Sequence, residues 1–216
     1  KTQLLPLTGI ELMYTAKTFY IIRHGETDLN RQGIIQGRGM NTDLNEKGAA
    51  QAAAFFNAYQ HIPFDIVYTS TLKRTHQTVA QFIEKEIPWK QHAGLDELAW
   101  GIYEGKPSEI TKPAFLALTT AWLEGAVHEK FEAGESPLEV QARQLEALEE
   151  LKKLADVDNV LICMHGRALR IFLCVLSGLA LTQMDSFPHS NTTLYKVHFD
   201  GEGFEIQEYN NTQHLV

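Results

Sequence analysis

The chain has 216 residues, of which 44% are hydrophobic and 21% are charged, and its formal net charge at pH 7 is −8. This composition is that of an ordinary globular protein and excludes intrinsic disorder. The acidic charge opposes nonspecific binding of nucleic acid, which needs Lys and Arg to neutralise phosphates, but one basic pocket for a small anion is compatible with it.

The first half of the chain alternates between β-rich runs and helical patterns. Residues 18–22 (Thr-Phe-Tyr-Ile-Ile) are continuously β-rich, which predicts a buried strand. Asn45 and Ser70 stand where helix N-caps are expected. The predicted elements are, in chain order, a strand at 18–22, a helix from Asn45 to Tyr59, a strand at 65–69, a helix from Ser70 to Pro88 that carries Arg74, and a weaker strand between Lys90 and Asp96.

The second half begins with a segment at 100–137 that is rich in Gly and Pro and predicts a small helical lid insertion. The elements predicted after it are a helix from Pro137 to Leu151, a strand at 159–164, a buried helix at 168–177, and a terminal hairpin of Thr193–Phe199 and Phe204–Gln207. Because strands alternate with helices, we predict the α/β class: one domain over 1–216, a three-layer α/β/α sandwich with a mostly parallel central sheet.

Several features bear on location. Residues 1–16 precede the regular pattern and are broken by polar residues, so we predict an N-terminal extension without a signal-peptide core. The longest apolar stretch, Leu169 to Leu181, is too short to span a bilayer. Cys163 and Cys174 lie in apolar runs without zinc-ligand spacing, which favours buried residues in a reducing compartment. We therefore expect a cytoplasmic protein.

Polar residues gather at the ends of three predicted strands. Two apolar runs end in His-Gly, at His24 and at His165, with Arg23 before the first, and Arg74 follows the end of the strand at 65–69. Because ligands bind beyond the carboxyl ends of strands in open α/β sheets, we expect these side chains to meet. Arg fits phosphate oxygens with a fork of donors, and neutral His is a competent nucleophile toward phosphorus. The glycine after each His is expected to let backbone and ligand approach closely.

These residues belong to a longer, ordered set of motifs. The set comprises Arg23-His24-Gly25-Glu26-Thr27 with Asn30, Gln36-Gly37, Leu44-Asn45-Glu46-Lys47-Gly48 with Gln51-Ala52, Ser70-Thr71-Leu72-Lys73-Arg74-Thr75, Glu97 with Gly101, Glu104 and Gly105, and His165-Gly166. From about residue 18 to 195 it resembles the histidine phosphatase, or phosphoglycerate-mutase-like, superfamily.

The resemblance implies a phosphomonoester hydrolase that acts through a phosphohistidine intermediate on a small phosphorylated metabolite. It implies that His24 is the nucleophile and that Glu97 is the general acid, then the base. The implied phosphate-binding residues are Arg23, Arg74 and His165, assisted by Asn30 and the Gly166 backbone. Gln36 and Gly37 would line the approach. For Asn30 and Asn191 a turn-forming role stays open beside a role in the site.

No set of His, Cys, Asp and Glu with metal-ligand spacing is found, so we expect a metal-independent enzyme without a cofactor. The expected partner is a small phosphate ester rather than nucleic acid or a membrane, and a homodimer stays open. Trp100 and Tyr103 are expected to pack. The seven remaining histidines lack a comparable context and are expected to be structural or at the surface: His61, His76, His92, His128, His189, His198 and His214.

Arg167 departs from the family pattern, which often has a small residue after the second His-Gly. It either adds a cation at the mouth of the site and favours a multiply anionic substrate, or it points to solvent and pairs with an acid.

Phosphatase and phosphoglycerate-type mutase differ in which molecule receives the phosphoryl group. Between Glu97 and His165 the mutases carry an Arg-rich insertion, whereas this chain has scattered cations and apolar residues there: Lys106, Lys112, Lys130 and Arg143, with Phe115, Leu116, Trp122 and Phe131. This favours hydrolysis of an ester with an uncharged or modestly apolar remainder. The alternatives are a mutase and, from another class, a noncatalytic phosphate-binding module.

Overall fold

The computed structural model describes residues 14–216, which form a mixed six-stranded sheet with helices on both faces. The strands are β1 (Lys17–Arg23), β2 (Ile66–Thr69), β3 (Trp89–Gln91), β4 (Asn159–Met164), β5 (Leu194–Phe199) and β6 (Phe204–Asn211). They lie in the order β3-β2-β4-β1-β5-β6. Strands β1 to β4 are parallel to one another. Strand β5 is antiparallel to its neighbour β1, and β6 is antiparallel to its neighbour β5. The predicted three-layer α/β sandwich is confirmed.

Some of the helices begin at residues whose side chains cap them. The helices are α1 (Asp28–Arg31), α2 (Glu46–Tyr59), α3 (Lys73–Thr78), α4 (Ala80–Ile83), α5 (Ser108–Leu123), α6 (Pro137–Lys152) and α7 (Gly166–Ser177), with 3₁₀ helices at Ala93–Leu95, Gly101–Tyr103, Leu181–Ser186 and Gln213–Leu215. Asn45 caps α2 as predicted, because its Oδ1 accepts a hydrogen bond from the Gly48 N–H at 2.8 Å. Ser136 caps α6 in a capping box with Glu139.

The sheet separates two apolar layers because successive side chains of a strand point to opposite faces. On β1, Phe19 and Ile21 pack with residues of α6 and α7, whereas Tyr20 and Ile22 pack with residues of α2 and α4. Ile21 and Ile22 are completely buried. Burial of one such side chain stabilises the fold by roughly 1.5–3 kcal/mol, so β1 is anchored from both sides.

The segment at 100–137 packs on the main core through aromatic side chains. Trp122, near the end of α5, is 1% exposed and stacks with Trp100 at 6.0 Å between ring centroids. Tyr103 packs edge-on against Phe131 at 4.3 Å. Leu116, on the outer side of α5, is 65% exposed. Trp100 and Tyr103 therefore pack, as expected.

Two expectations about the segment after β2 are wrong. Ser70 does not cap the following helix: α3 begins at Lys73, with Leu72 as its N-cap and no side-chain capping bond. The helical segment also ends before Pro88, since α4 stops at Ile83. Ser70 is not the cap because its hydroxyl contacts His165 and Thr75 in the interior.

Other element boundaries shift by a few residues. The strand predicted between Lys90 and Asp96 is the shorter β3, because the chain turns into a 3₁₀ helix at Ala93. The helix predicted at 168–177 begins earlier, at Gly166. Of the predicted N-terminal extension at 1–16, residues 1–13 lie outside the described residues. Across 14–216, no helix combines the length and the apolar character that crossing a bilayer requires.

Candidate active site

The carboxyl ends of β1, β4 and β2 lie side by side and bring the predicted histidines and arginines together. His24 follows β1, His165 follows β4, and the ring centroids of the two histidines are 5.1 Å apart. Arg74, from the first turn of α3, is completely buried, and His165 is as well. His24 is only 2% exposed. The cluster is thus an interior, strongly basic site in an acidic protein.

The imidazole of His24 is held in one tautomer. Its Nδ1 lies 2.7 Å from the carbonyl oxygen of Gly25, so Nδ1 carries the proton and donates it. Nε2 makes no hydrogen bond to any residue of 14–216 and carries the free lone pair. Burial, followed by the charges of Arg74 and Arg23, lowers the pKa of His24 well below its ordinary value. His24 therefore presents a neutral, oriented imidazole whose Nε2 lone pair is chemically able to attack phosphorus.

His165 is oriented by Arg74 and Ser70. The Arg74 Nε donates to the His165 Nδ1 at 3.1 Å, and the His165 Nε2 donates to the Ser70 Oγ at 2.8 Å. The two Nη atoms of Arg74 donate to the Met40 carbonyl at 2.6 Å and to the Gly37 carbonyl at 3.4 Å. Burial lowers the pKa of Arg74 to about 10, so the guanidinium stays charged at neutral pH. Burial and the Arg74 charge lower the pKa of His165 well below its ordinary value.

Arg23 retains unused donors. Its Nη1 donates to the Nδ1 of His189 at 3.1 Å, whereas its Nε is buried and has no hydrogen-bond partner within the described part of the chain. A buried guanidinium N–H without an acceptor costs free energy that an anionic oxygen would recover. Burial lowers the pKa of Arg23, although the group remains cationic. This arrangement suits the binding of an anion.

Glu97 lies at the N-terminus of α7 and is 6% exposed. Its Oε1 accepts from the backbone N–H of Leu98 and of Ala168, each at 2.9 Å. Among residues 14–216, its Oε2 accepts a single bond, from the Arg167 N–H at 3.2 Å. The Glu97 carboxyl group therefore caps the helix, and Oε2 keeps capacity for a further partner, as an acceptor or, when it is protonated, as a donor.

Asn30, Gln36 and Asn191 support the backbone around His24. Asn191 Nδ2 donates to the His24 carbonyl at 3.0 Å and to the Asn30 Oδ1 at 3.3 Å. The same Asn30 oxygen accepts from the Thr27 N–H in a capping box for α1. Gln36 Nε2 donates to the Thr27 Oγ1 at 3.2 Å. Asn30 thus has the turn-capping role that the sequence left open, and only its Nδ2 is without a partner in 14–216.

The glycines after the two histidines lie where a Cβ would collide with the protein itself. A Cβ added at Gly25 would lie 2.6 Å from the carbonyl oxygen of Gly48, and one at Gly166 would lie 2.8 Å from the His189 Cε1. Both glycines therefore permit close packing within the protein, with backbone at Gly25 and with a side chain at Gly166. Gly166 is also the first residue of α7, whose first-turn N–H groups lack intrahelical acceptors.

Arg167 pairs with an acid but does not point to solvent. Its Nη1 lies 2.6 Å from the Asp185 Oδ1, which also pairs with Arg170 at 2.5 Å. Its guanidinium lies 5.5 Å from the ring centroid of Trp122, and its side chain is 13% exposed. Within 14–216 no three His, Cys, Asp or Glu side chains are grouped so that they could hold a metal ion.

The sequence family described as the histidine phosphatase superfamily (branch 1) matches residues 19–212. The chain belongs to this superfamily. It is 28% identical over 196 residues to phosphoserine phosphatase 1 of Hydrogenobacter thermophilus, a match that covers 90% of this chain and 92% of the relative. It is 40% identical over 92 residues to fructose-2,6-bisphosphatase TIGAR of Mus musculus, covering 40% of this chain and 34% of the relative.

A solved phosphatase structure has the same fold along almost the whole length of this chain. The phosphoserine phosphatase of Entamoeba histolytica, in complex with 3-phosphoglyceric acid, is 26% identical to this chain with a TM-score of 0.80. The alignment covers 93% of this chain and 100% of that structure.

Two residues of this histidine phosphatase site were not found from the sequence. His189 was expected to be structural or at the surface, but it contacts Arg23. Ser70 was expected to be a helix cap, but it contacts His165. The only sequence signal for His189 is its position two residues before Asn191, in the segment that leads into β5. For Ser70 the signal is its place at a strand end, which the capping interpretation obscured.

Proposed function

We propose that His24 is the nucleophile of this phosphatase and that a phosphohistidine forms on its Nε2 and is then hydrolysed by water. That the chain is a phosphatase acting on small phosphorylated metabolites follows from its membership of the superfamily and from its phosphatase relatives. The observation that carries the proposal is the state of His24. Its imidazole is neutral, Nδ1 is bound to the Gly25 carbonyl, and Nε2 has no partner within 14–216 and lies near the buried Arg74 and the half-buried Arg23.

In the first step the Nε2 lone pair of His24 forms a bond to phosphorus while the bond from phosphorus to the ester oxygen breaks. The departing oxygen takes a proton from Glu97, and we assign this transfer to Oε2, the oxygen with one hydrogen bond. The guanidinium of Arg23, whose Nε has no partner in the described part of the chain, and the charge of Arg74 stabilise the negative phosphoryl oxygens. The Gly166 N–H, at the positive end of α7, assists.

In the second step a water oxygen attacks phosphorus and the bond to His24 Nε2 breaks. Glu97, now a carboxylate, takes a proton from the water, which restores its initial state. Inorganic phosphate leaves, and His24 is again neutral. Glu97 therefore acts first as acid and then as base at the same position, at the start of α7.

Water is favoured over a sugar acid as the phosphoryl acceptor because the segment between Glu97 and His165 offers no free pair of arginines in the described chain. Arg143 is fully used inside the protein. Its guanidinium bonds the Glu135 carboxylate and four backbone carbonyls, those of Ala93, Gly94, Asp96 and Glu97. A mutase is therefore the weaker alternative. A noncatalytic binding module is weaker still, since it has no use for an oriented nucleophile beside a carboxylate.

The surroundings of the reaction also belong to the proposal. The substrate is a small phosphate ester, with no role for nucleic acid or membrane, and the cytoplasm is the compartment. Cys163 and Cys174 are both buried free thiols, which supports a reducing environment.

The test is to trap the covalent intermediate. Brief incubation with a ³²P-labelled phosphomonoester and an acid-free quench should give a labelled protein that survives alkali and loses its label in acid. His24→Ala should remain folded and form no adduct, whereas His128→Ala, at a side chain 70% exposed, should label like the wild type. Parallel assays of phosphate release and of transfer to a sugar acid should show release. An acid-stable adduct, or labelling of His24→Ala, would overturn the proposal.

A further inference from the structure

We propose that His189 is a positioning residue for Arg23, whose imidazole orients the guanidinium so that Nε and Nη2 face the phosphoryl group. This inference rests on the proposed function, because it assumes that Arg23 binds the phosphoryl oxygens. His189 lies in the segment between α7 and β5, far in sequence from Arg23 at the end of β1.

The hydrogen bond between the two residues has only one possible direction. The Arg23 Nη1 and the His189 Nδ1 are 3.1 Å apart, and a guanidinium can only donate. The His189 Nδ1 is therefore the acceptor, and the ring proton of the neutral imidazole is on Nε2. Arg23 thus determines the tautomer of His189, and His189 in turn holds one end of the guanidinium plane.

The acceptor role needs an uncharged imidazole, and the surroundings ensure it. Burial, followed by the charges of Arg23, Arg170 and Arg167, lowers the pKa of His189 to about 3. A protonated ring would lose the Nδ1 lone pair and place a second cation against Arg23. His189 therefore remains an acceptor throughout the pH range in which a phosphatase of this kind is assayed.

The packing around the pair is tight. A Cβ at Gly166 would lie 2.8 Å from the His189 Cε1 and 3.5 Å from the Arg23 Nε. The His189 imidazole and the Arg23 guanidinium thus lie together against Gly166, the first residue of α7. The Arg23 atom nearest to such a Cβ is Nε, which has no partner in the described chain. An arginine held in this way loses less side-chain freedom when it binds an anion.

The two arginines of the site are held in the same manner. Arg74 donates from Nε to the Nδ1 of His165 at 3.1 Å, and Arg23 donates from Nη1 to the Nδ1 of His189 at the same distance. Arg74 has two backbone carbonyls as further acceptors, those of Met40 and Gly37. Arg23 has none among the described residues, so it depends more strongly on its histidine.

The test uses the two amides that imitate the two ring nitrogens. In His189→Asn the amide oxygen can occupy the position of Nδ1 and accept from Arg23, whereas His189→Gln places its amide near Nε2. The readouts are the Kd of orthovanadate, measured by calorimetry, and the rate of His24 phosphorylation in a single turnover. His189→Ala and His189→Gln should each lose about 10–100-fold in both, the range expected when a binding group is misplaced. His189→Asn should recover most of the loss.

Two controls separate positioning from folding. His198→Asn, at a half-buried histidine of β5 outside the site, should bind vanadate like the wild type, and thermal unfolding should show all variants folded. In an Arg23→Lys background, where the guanidinium fork is absent, His189→Ala should cause little further loss of vanadate binding or of His24 phosphorylation. A merely structural role would instead give additive losses.

The outcomes distinguish this inference from the proposed function. If the wild type forms no phosphohistidine and binds no vanadate, the proposed function fails and the inference with it. If the wild type does both, and His189→Ala is folded and unimpaired or the Asn and Gln variants are equally impaired, the role of His189 is wrong and that of His24 stands.

Discussion

The Nε of Arg74 donates to the Nδ1 of His165 at 3.1 Å, and this one bond determines which nitrogen of His165 carries the proton. Because Nδ1 accepts, Nε2 is protonated and donates to Ser70 at 2.8 Å. The Ser70 hydroxyl also accepts from the Leu72 N–H at 3.1 Å and lies 3.0 Å from the Thr75 Oγ1. A single buried hydroxyl therefore links the second histidine to the start of α3, the helix that carries Arg74.

We predict that Ser70→Ala lowers the free energy of unfolding by about 1–3 kcal/mol, because the His165 Nε2–H and the Leu72 N–H lose a buried acceptor. Ser177→Ala is the matched control, since the Ser177 hydroxyl is buried without a hydrogen-bond partner in the described chain. Its removal should cost almost nothing. Urea denaturation of the three proteins measures both changes. Equal losses in the free energy of unfolding for the two variants would show that the hydrogen bonds of Ser70 do not stabilise the fold.

The sequence predicted the parts of the site that depend on neighbouring residues. His24 and His165 follow apolar strands directly, and parallel strands bring their carboxyl ends to one edge, so their meeting could be predicted. His189 could not, because its partner Arg23 is 166 positions away and no local pattern marks the contact. The prediction for Ser70 was wrong for a related reason. Its sequence position favours a helix cap, but its hydroxyl instead bonds His165, which is 95 positions away.

We predict that the protein loses stability as the pH falls below about 6.5, the ordinary pKa of histidine. Burial lowers the pKa of His24, His165 and His189 in the folded protein, so each takes up a proton on unfolding. Below the pKa of histidine in the unfolded chain, each of these histidines makes the free energy of unfolding fall by about 1.4 kcal/mol per pH unit. Well above that pKa it has no effect. Urea denaturation between pH 5 and 8 measures the slope. His165→Asn should reduce it by the share of one histidine, and an unchanged slope would contradict the assignment.

Activity should persist after exhaustive dialysis against EDTA, because the positive charge of the site comes from Arg23 and Arg74 and no cluster of metal ligands is present in 14–216. Orthovanadate should inhibit the chelated enzyme, since it imitates five-coordinate phosphorus and needs only these arginines and His24. If EDTA abolished activity and magnesium or zinc restored it, a metal ion would supply positive charge that we assign to Arg23 and Arg74, and the prediction would be wrong.

The last prediction separates proton donation from charge stabilisation. If Glu97 protonates the leaving oxygen, its contribution, typically about 10²–10⁴-fold, should shrink when the leaving group needs no proton. Glu97→Gln should therefore slow single-turnover phosphorylation of His24 much more with an alkyl phosphate than with p-nitrophenyl phosphate. His165→Ala should slow both esters by similar factors, because His165 orients Arg74, whose charge acts on the transferring group that both esters share. Glu97→Gln also weakens the cap of α7, since its amide nitrogen cannot accept from the Arg167 N–H, and a loss of about 1 kcal/mol in stability is expected. That loss is the same for both esters and so cannot produce the difference between them. Equal slowing of the two esters by Glu97→Gln, with discrimination by His165→Ala instead, would assign the acid to the other residue.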